Sequence, residues 1–138
     1  MNPVFLDTSG LVAVVNTDDK WHTAAEAAWQ SLIASRLPLT TSLVLIELGD
    51  GLARIQYRQL AIDLYDRLQT SPRVEVIQTT PADESQGWEL FRQRSDKQWG
   101  MTDCISMIIM KQRGITDVFS SDRDFAQAGF NILLQPSS

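Results

Sequence analysis

The chain has 138 residues, 12 basic against 17 acidic, so it carries a formal charge of −5 with its one histidine neutral, and 43% of it is apolar. That length and apolar share suffice to bury one core without disulfide staples, and the lone Cys104 can build neither an internal disulfide nor a thiolate zinc cluster. Apolar runs such as 43–46 and 105–110, the latter broken by Ser106, fall far short of the ~20 residues that cross a bilayer; Asp7 stands where a signal peptide would still be apolar; and the acidic surplus argues against general electrostatic attachment to nucleic acid.

No repeat, low-complexity tract or Pro/Gly/Ser-rich linker divides the sequence, so the expectation is one domain over 1–138, cytoplasmic and without a membrane segment. A short apolar run at 3–6 reads as a strand ending at Asp7, after which Thr8 and Ser9 can cap a helix through Val15. Thr23 with Glu26 makes a capping box ahead of Ala25, Ala28, Trp29, Leu32 and Ile33, which share a helical face. Residues 38–41 are short and extended. Ser42 then opens a helix in which Leu45, Leu48, Leu52 and Ile55 share a face, and the i, i+4 steps of Leu60, Leu64 and Leu68 mark another. The alternation at 74–77 predicts a strand. Thr80, Pro81 and Asp83 supply a capping hydroxyl, a proline at the first helical position and an acid in the first turn of a helix running to about Arg94. Thr102 can cap a helix containing Ile105, Ile108 and Ile109, with Gly114 as its stop. Val118 and Phe119 form a short strand, residues 120–124 a polar turn, and 132–134 a closing strand. Strands alternating with crossover-length helices imply a parallel sheet between helices, an α/β/α sandwich. In such sheets ligands gather beyond the carboxyl ends of the strands, where Asp7 and Asp122 fall.

Four acids lie in or against apolar sequence, where charge is costly unless compensated. They are Asp7 after Val-Phe-Leu, Glu47 inside Leu-Val-Leu-Ile-Glu-Leu, Asp103 at the head of an Ile/Met-rich helix, and Asp122 beyond Val118 and Phe119. Taken singly, each has an ordinary explanation: Asp7 or Asp103 as a helix cap, Asp122 as a turn residue, Glu47 as a partner of Arg54 or Arg58. Taken together, two strand ends and two helices can deliver them to one cleft, where mutual repulsion calls for a divalent cation. Carboxylate oxygens with waters suit Mg²⁺ or Mn²⁺. Asp7 and Asp103 are expected as the most direct ligands, Glu47 and Asp122 as further ligands or holders of water. Ser9 and Ser120 can bond a carboxylate or a bound water, or equally satisfy turn backbone. His22 is expected to cap or pack. Trp29 matches a core face, whereas Trp99, beside Lys97, is the better aromatic for a nucleic-acid or partner surface.

Six segments carry a family resemblance: Phe5-Leu-Asp7-Thr-Ser; Asp19-Lys-Trp-His22 with Ala25; Glu47-Leu-Gly-Asp-Gly-Leu; Met101-Thr-Asp103-Cys-Ile-Ser leading to Gly114; Ser120-Ser-Asp122-Arg-Asp-Phe125; and Ala128-Gly-Phe. In this order, and over nearly the whole chain, they resemble the PIN-domain ribonucleases, nearest in pattern to the VapC-type toxins of bacterial toxin–antitoxin pairs. The resemblance implies a PIN-like α/β/α fold with a central parallel sheet and Mg²⁺- or Mn²⁺-dependent hydrolysis of RNA phosphodiesters. It maps the family's acids onto Asp7, Glu47, Asp103 and Asp122, with Asp124 as an auxiliary. It also implies a cognate antitoxin and a homodimer. Cys104 and Met110 depart from the small Ala usual at both positions, which bears on packing more than on chemistry. Two rivals remain. A haloacid-dehalogenase-type phosphatase would need a second acid two residues after Asp7, where Ser9 stands. A non-catalytic RNA- or protein-binding module on the same fold would be expected to lack one or more of the four acids.

Overall fold

A computed structural model describes residues 1–136. In chain order the elements are β1 (Pro3–Leu6), α1 (Thr8–Val15), α2 (His22–Ser35), β2 (Leu37–Thr41), α3 (Ser42–Gly51), α4 (Ile55–Thr70), β3 (Glu75–Ile77), α5 (Pro81–Gln93), α6 (Met101–Gln112), β4 (Asp117–Phe119), α7 (Arg123–Gln127) and β5 (Asn131–Ile132). The strands form one sheet in the order β3-β2-β1-β4-β5, and every pairing is parallel. From β1 the chain winds outward through β2 to β3, then returns to lay β4 on the other side of β1. The direction of winding therefore reverses between β1 and β4, the place where an open parallel sheet leaves a crevice at its carboxyl edge.

Burial follows from that architecture. Val4, Phe5 and Leu6 are consecutive and all fully buried, as are Val118 and Phe119, because a central parallel strand is covered on both faces and reads as a continuous apolar run. Thr40 and Thr41 are the buried polar residues of β2; Thr40 Oγ1 donates to the Leu6 carbonyl at 2.8 Å and Thr41 Oγ1 accepts the Val44 amide at 3.2 Å, which removes the penalty of burying the hydroxyls. Leu45, Leu48 and Leu52 on one side and Ile105, Ile109 and Met110 on the other pack the helices onto the sheet.

The sequence expectations hold for most elements and shift at five places. The helix expected to reach Ile55 ends at Gly51, since Gly49 and Gly51 withdraw helix propensity at its last turn. Leu52 stays buried as the cap, while Ile55 opens α4 and is 94% exposed. The Thr23/Glu26 capping box does not form: α2 begins at His22, and Glu26 instead reaches the His22 Nε2 at 3.2 Å. Thr102 is not a cap but the second residue of α6, whose cap is Gly100. The polar segment after β4 winds into the short helix α7, because Asp122 caps it through the Asp124 amide. The closing strand begins at Asn131, with Leu133 and Leu134 still donating to the Val118 and Ser120 carbonyls.

Gly10 sets how closely α1 approaches β4. A Cβ there would lie 2.2 Å from the Phe119 carbonyl oxygen and 2.6 Å from its ring, contacts that no side-chain adjustment relieves. Gly49, also helical, has nothing within 4 Å of the same position. Gly10→Ala is therefore expected to destabilise the protein by about 3 kcal/mol, a fall of roughly 10 °C in Tm. Gly49→Ala is expected to raise stability by about 0.5–1 kcal/mol. Thermal melts of the two variants beside the parent check the opposite signs.

Candidate metal centre

The register of the two central strands builds the site. Leu6 pairs with Phe119, so the residues that follow, Asp7 and Ser120, leave the sheet side by side, and the Asp7 amide still donates to the Phe119 carbonyl at 3.2 Å. Asp7 is 3% exposed and caps α1. Its Oδ2 accepts from Ser120 Oγ at 2.7 Å, Ser9 Oγ at 3.1 Å and the Ser9 amide at 3.4 Å, whereas Oδ1 receives none of these donors. The Ser120 Oγ also accepts the Asp122 amide at 3.0 Å, and the Ser9 Oγ accepts the Ser121 amide at 3.1 Å, with the two hydroxyls 2.9 Å apart. Ser9 and Ser120 thus do both things the sequence left open: they satisfy the turn backbone and they orient a carboxylate.

Three further acids converge on this corner. Asp103, in the first turn of α6, accepts the Gly100 amide on Oδ2 at 3.4 Å. Asp122 accepts the Asp124 amide on Oδ1 at 2.9 Å. Carboxylate oxygens of Asp103, Asp122 and Asp124 lie within 4.8 Å of one another, all three residues half-buried. Oxygens bound to one octahedral Mg²⁺ at its ~2.1 Å bond length stand ~3.0 Å apart when adjacent and ~4.2 Å when opposite, so the trio would draw together on sharing an ion. Asp124, expected as an auxiliary, belongs to this trio, and Asp7, expected among the most direct ligands, acts on Asp103 through its charge. The signal for Asp124 is its i, i+2 spacing from a capping acid, which the polar-turn reading concealed. Glu47, on α3, is held by Thr8, whose Oγ1 donates to its Oε1 at 2.5 Å; no ion pair joins it to Arg54 or Arg58 among the described residues.

Three of the other carboxylates act on Asp103 through their charge. Asp103 is raised from 3.8 to about 7, first by burial and then by the charges of Asp7, Asp122 and Glu47. Asp7 is raised from 3.8 to about 6 by burial, against the lowering effect of its serine and backbone donors. Burial and the Asp122 charge also push Asp124 upward. The donor set that these groups offer is oxygen alone. The Cys104 thiol is pushed up by burial and by Asp103, so it stays protonated. His22 is occupied by the Ala13 carbonyl at 2.8 Å and by Glu26, in keeping with a packing role. An all-carboxylate cluster with raised proton affinity fits a hard divalent cation such as Mg²⁺ or Mn²⁺ and disfavours softer zinc-type ligation. Of the aromatic residues, Trp29 packs against Phe119 with ring centroids 5.6 Å apart, as its helical face predicted. Trp99 is not the exposed aromatic that its neighbours suggested: it is 5% exposed, donates Nε1 to Gln127 at 3.1 Å and lies under the Arg94 guanidinium.

A sheet of this order, with acids at its switch point, defines a class, and the sequence matches the PIN domain over residues 4–131. The chain belongs to the PIN-domain family. Among characterised members it is 32% identical to the 23S rRNA-specific endonuclease VapC20 of Mycobacterium tuberculosis over 130 residues, covering 92% of this chain and 95% of the relative. The crystal structure of that VapC20, described as a sarcin-ricin loop cleaving toxin, superposes with a TM-score of 0.87 at 28% identity over 96% of this chain and 99% of the other. VapBC2 of Rickettsia felis, bound to a DNA fragment from its promoter, shares the fold with a TM-score of 0.68 at 16% identity over 94% and 96% of the two chains. No helix among the described residues is long and apolar enough to cross a membrane.

The raised carboxyls fix a pH dependence. Between about pH 4 and pH 7 the folded, metal-free protein holds more protons at Asp7 and Asp103 than the unfolded chain does, so its unfolding free energy falls as pH rises. For Asp7 alone, the rise from 3.8 to about 6 corresponds to about 3 kcal/mol. In EDTA the Tm is expected to be higher near pH 5 than near pH 8, Asp103→Asn is expected to flatten that fall, and Mg²⁺ or Mn²⁺ is expected to stabilise more near pH 8 than near pH 5. A metal-free Tm that rises across this range would contradict the assignment.

Proposed function

We propose that this protein is a divalent-metal-dependent endoribonuclease that cleaves ribosomal RNA of the large subunit, and that it acts as the toxin of a pair with a protein antitoxin and as a homodimer in the cell. The observation that carries the metal-dependent reading is the convergence of Asp103, Asp122 and Asp124, with Asp7 and Glu47 within charge reach of Asp103. The RNA target is carried over from the VapC20 relative. The antitoxin reading draws on that relative's toxin character and on the shared fold of the VapBC2 assembly. All the acids that a binding-only module would be expected to lose are retained.

When bound, the ion supplies Lewis acidity toward a phosphate and its attacking water. Asp103, Asp122 and Asp124 would hold that ion. Ser9 and Ser120 anchor Asp7 Oδ2, which keeps the carboxylate from rotating. Glu47, fixed by Thr8, would hold a water beside it. The protonation that Asp103 favours in the metal-free protein would be given up on binding, so ion uptake would release protons below about pH 7.

Asp7→Asn keeps shape and hydrogen-bonding capacity but removes the charge. It is expected to reduce Mg²⁺-dependent cleavage of 23S rRNA to background while far-UV circular dichroism and Tm in EDTA stay at or above the parent's. Expression of the parent chain without a partner is expected to arrest growth, and expression of the variant is not. Cleavage by Asp7→Asn at the parent's rate would refute the assignment.

A further inference from the structure

A groove is lined by α5, the connection 94–100 and α6. Its volume is ≈520 Å³ and its principal side chains are Trp88, Phe91, Arg92, Arg94, Lys97 and Trp99. That size falls within the ~300–1,000 Å³ of ligand sites. The groove reaches the site through Cys104, which lines it and directly follows Asp103. None of the five acids lines it. In a chain of net charge −5, the lining contains three cations and no carboxylate.

Its aromatic residues are equally out of place. Trp88 is 54% and Phe91 42% exposed, and they meet edge to face with centroids 5.6 Å apart, an arrangement that uses only one face of one ring. Gly87 explains how they come to lie beside the site: a Cβ there would stand 2.4 Å from the Ile105 side chain, so its absence lets α5 settle against α6. The floor is fixed. Arg94 lies 5.1 Å over the Trp99 ring and is held by Asp96 at 3.0 Å through two nitrogens, and Trp99 is tied to Gln127. Arg92 is paired with Glu89 at 2.7 Å, whereas Lys97 makes no ion pair among the described residues.

Exposed ring faces next to a run of cations, on an otherwise acidic protein, match the chemistry of an unpaired nucleic-acid strand: bases stack on the rings and phosphates meet the cations. We propose that this α5–α6 groove is the platform that holds an unpaired stretch of the RNA substrate beside the acid cluster, with Trp88 and Phe91 stacking bases and Lys97 and Arg92 meeting phosphates. The assignment rests on the ribonuclease reading for its role, but the binding itself is separable from cleavage. A protein occupant of the same groove, whether an acidic partner segment or a second copy of the chain, is the competing outcome.

Two measurements decide it. The first is quenching of indole fluorescence by a phosphorothioate-linked oligouridylate of about 12 nucleotides in Mg²⁺. The parent is expected to be quenched, Trp88→Ala and Lys97→Ala to bind roughly tenfold more weakly, and Trp88→Phe to recover most of the affinity when followed by a labelled oligonucleotide. The second is steady-state cleavage of 23S rRNA, in which Trp88→Ala is expected to raise KM by roughly tenfold, much more than it lowers kcat. Trp88 is exposed, so melts of these variants should match the parent. If the parent binds the oligonucleotide through Trp88 but cuts no RNA, the nuclease reading fails and the platform stands. If Trp88→Ala binds and cleaves as the parent does, the platform is overturned, as it is if the variant changes only the mass of the protein in solution.

Discussion

The parallel pairing of Leu6 with Phe119 is the constraint on which the site depends. It places Asp7 and Ser120 next to each other at the carboxyl edge of the sheet, so that a 2.7 Å hydrogen bond can form across 113 residues of sequence. From that bond the rest of the corner is assembled. Ser120 also receives the Asp122 amide, which fixes the entry to α7, and α7 in turn presents Asp124 to Asp103. The serines that anchor Asp7 are also those that satisfy the turn, so backbone order and carboxylate orientation are one network. A slip of one residue between β1 and β4 would exchange their buried faces and separate Asp7 from Ser120.

Close packing supplies the second condition. The start of α1 reaches Phe119 only because residue 10 has no side chain, and α5 reaches α6 only because residue 87 has none. Both approaches bring functional side chains inward: Ser9 toward Ser120 in one case, Trp88 toward Cys104 in the other. Around them the core is continuous from Val4 to Leu134, and interiors of this density transmit the placement of one helix to its neighbours.

The arrangement keeps charge apart that would otherwise cancel. Acids gather at the sheet edge, where burial raises Asp7, and burial with the charges of Asp7, Asp122 and Glu47 raises Asp103, creating demand for a cation. Bases gather in the adjoining α5–α6 groove. The acidic surplus, which at first sight disfavours a polyanionic substrate, is therefore in part the cation site itself: two divalent ions would offset most of the −5. Under the proposed function, attraction for RNA would come from the ions and from a local basic face, not from the protein's net charge.

Most of the architecture is legible in the residues. The apolar runs ending at Asp7 and before Ser120, the Thr80-Pro81-Asp83 start, and the helical spacing of Leu60, Leu64 and Leu68 are local signals, and local hydrogen bonding and periodicity realise them. The four embedded acids were conspicuous for the same reason: a charge inside an apolar run is an anomaly that sequence displays directly. Element boundaries were less legible. Ile55 belongs by spacing to the face of α3, but helix propensity at Gly49 and Gly51 ends that helix first. What only the tertiary structure decided is distance: that Asp124 joins Asp103 and Asp122, that Ser120 reaches Asp7, that Thr8 holds Glu47, and that Trp99 is covered while Trp88 is exposed. Each of these depends on contacts between segments far apart in the chain. Sequence determines the residue types and their periodicity; which side chains meet is fixed by strand register and helix packing, to which no single segment is privy.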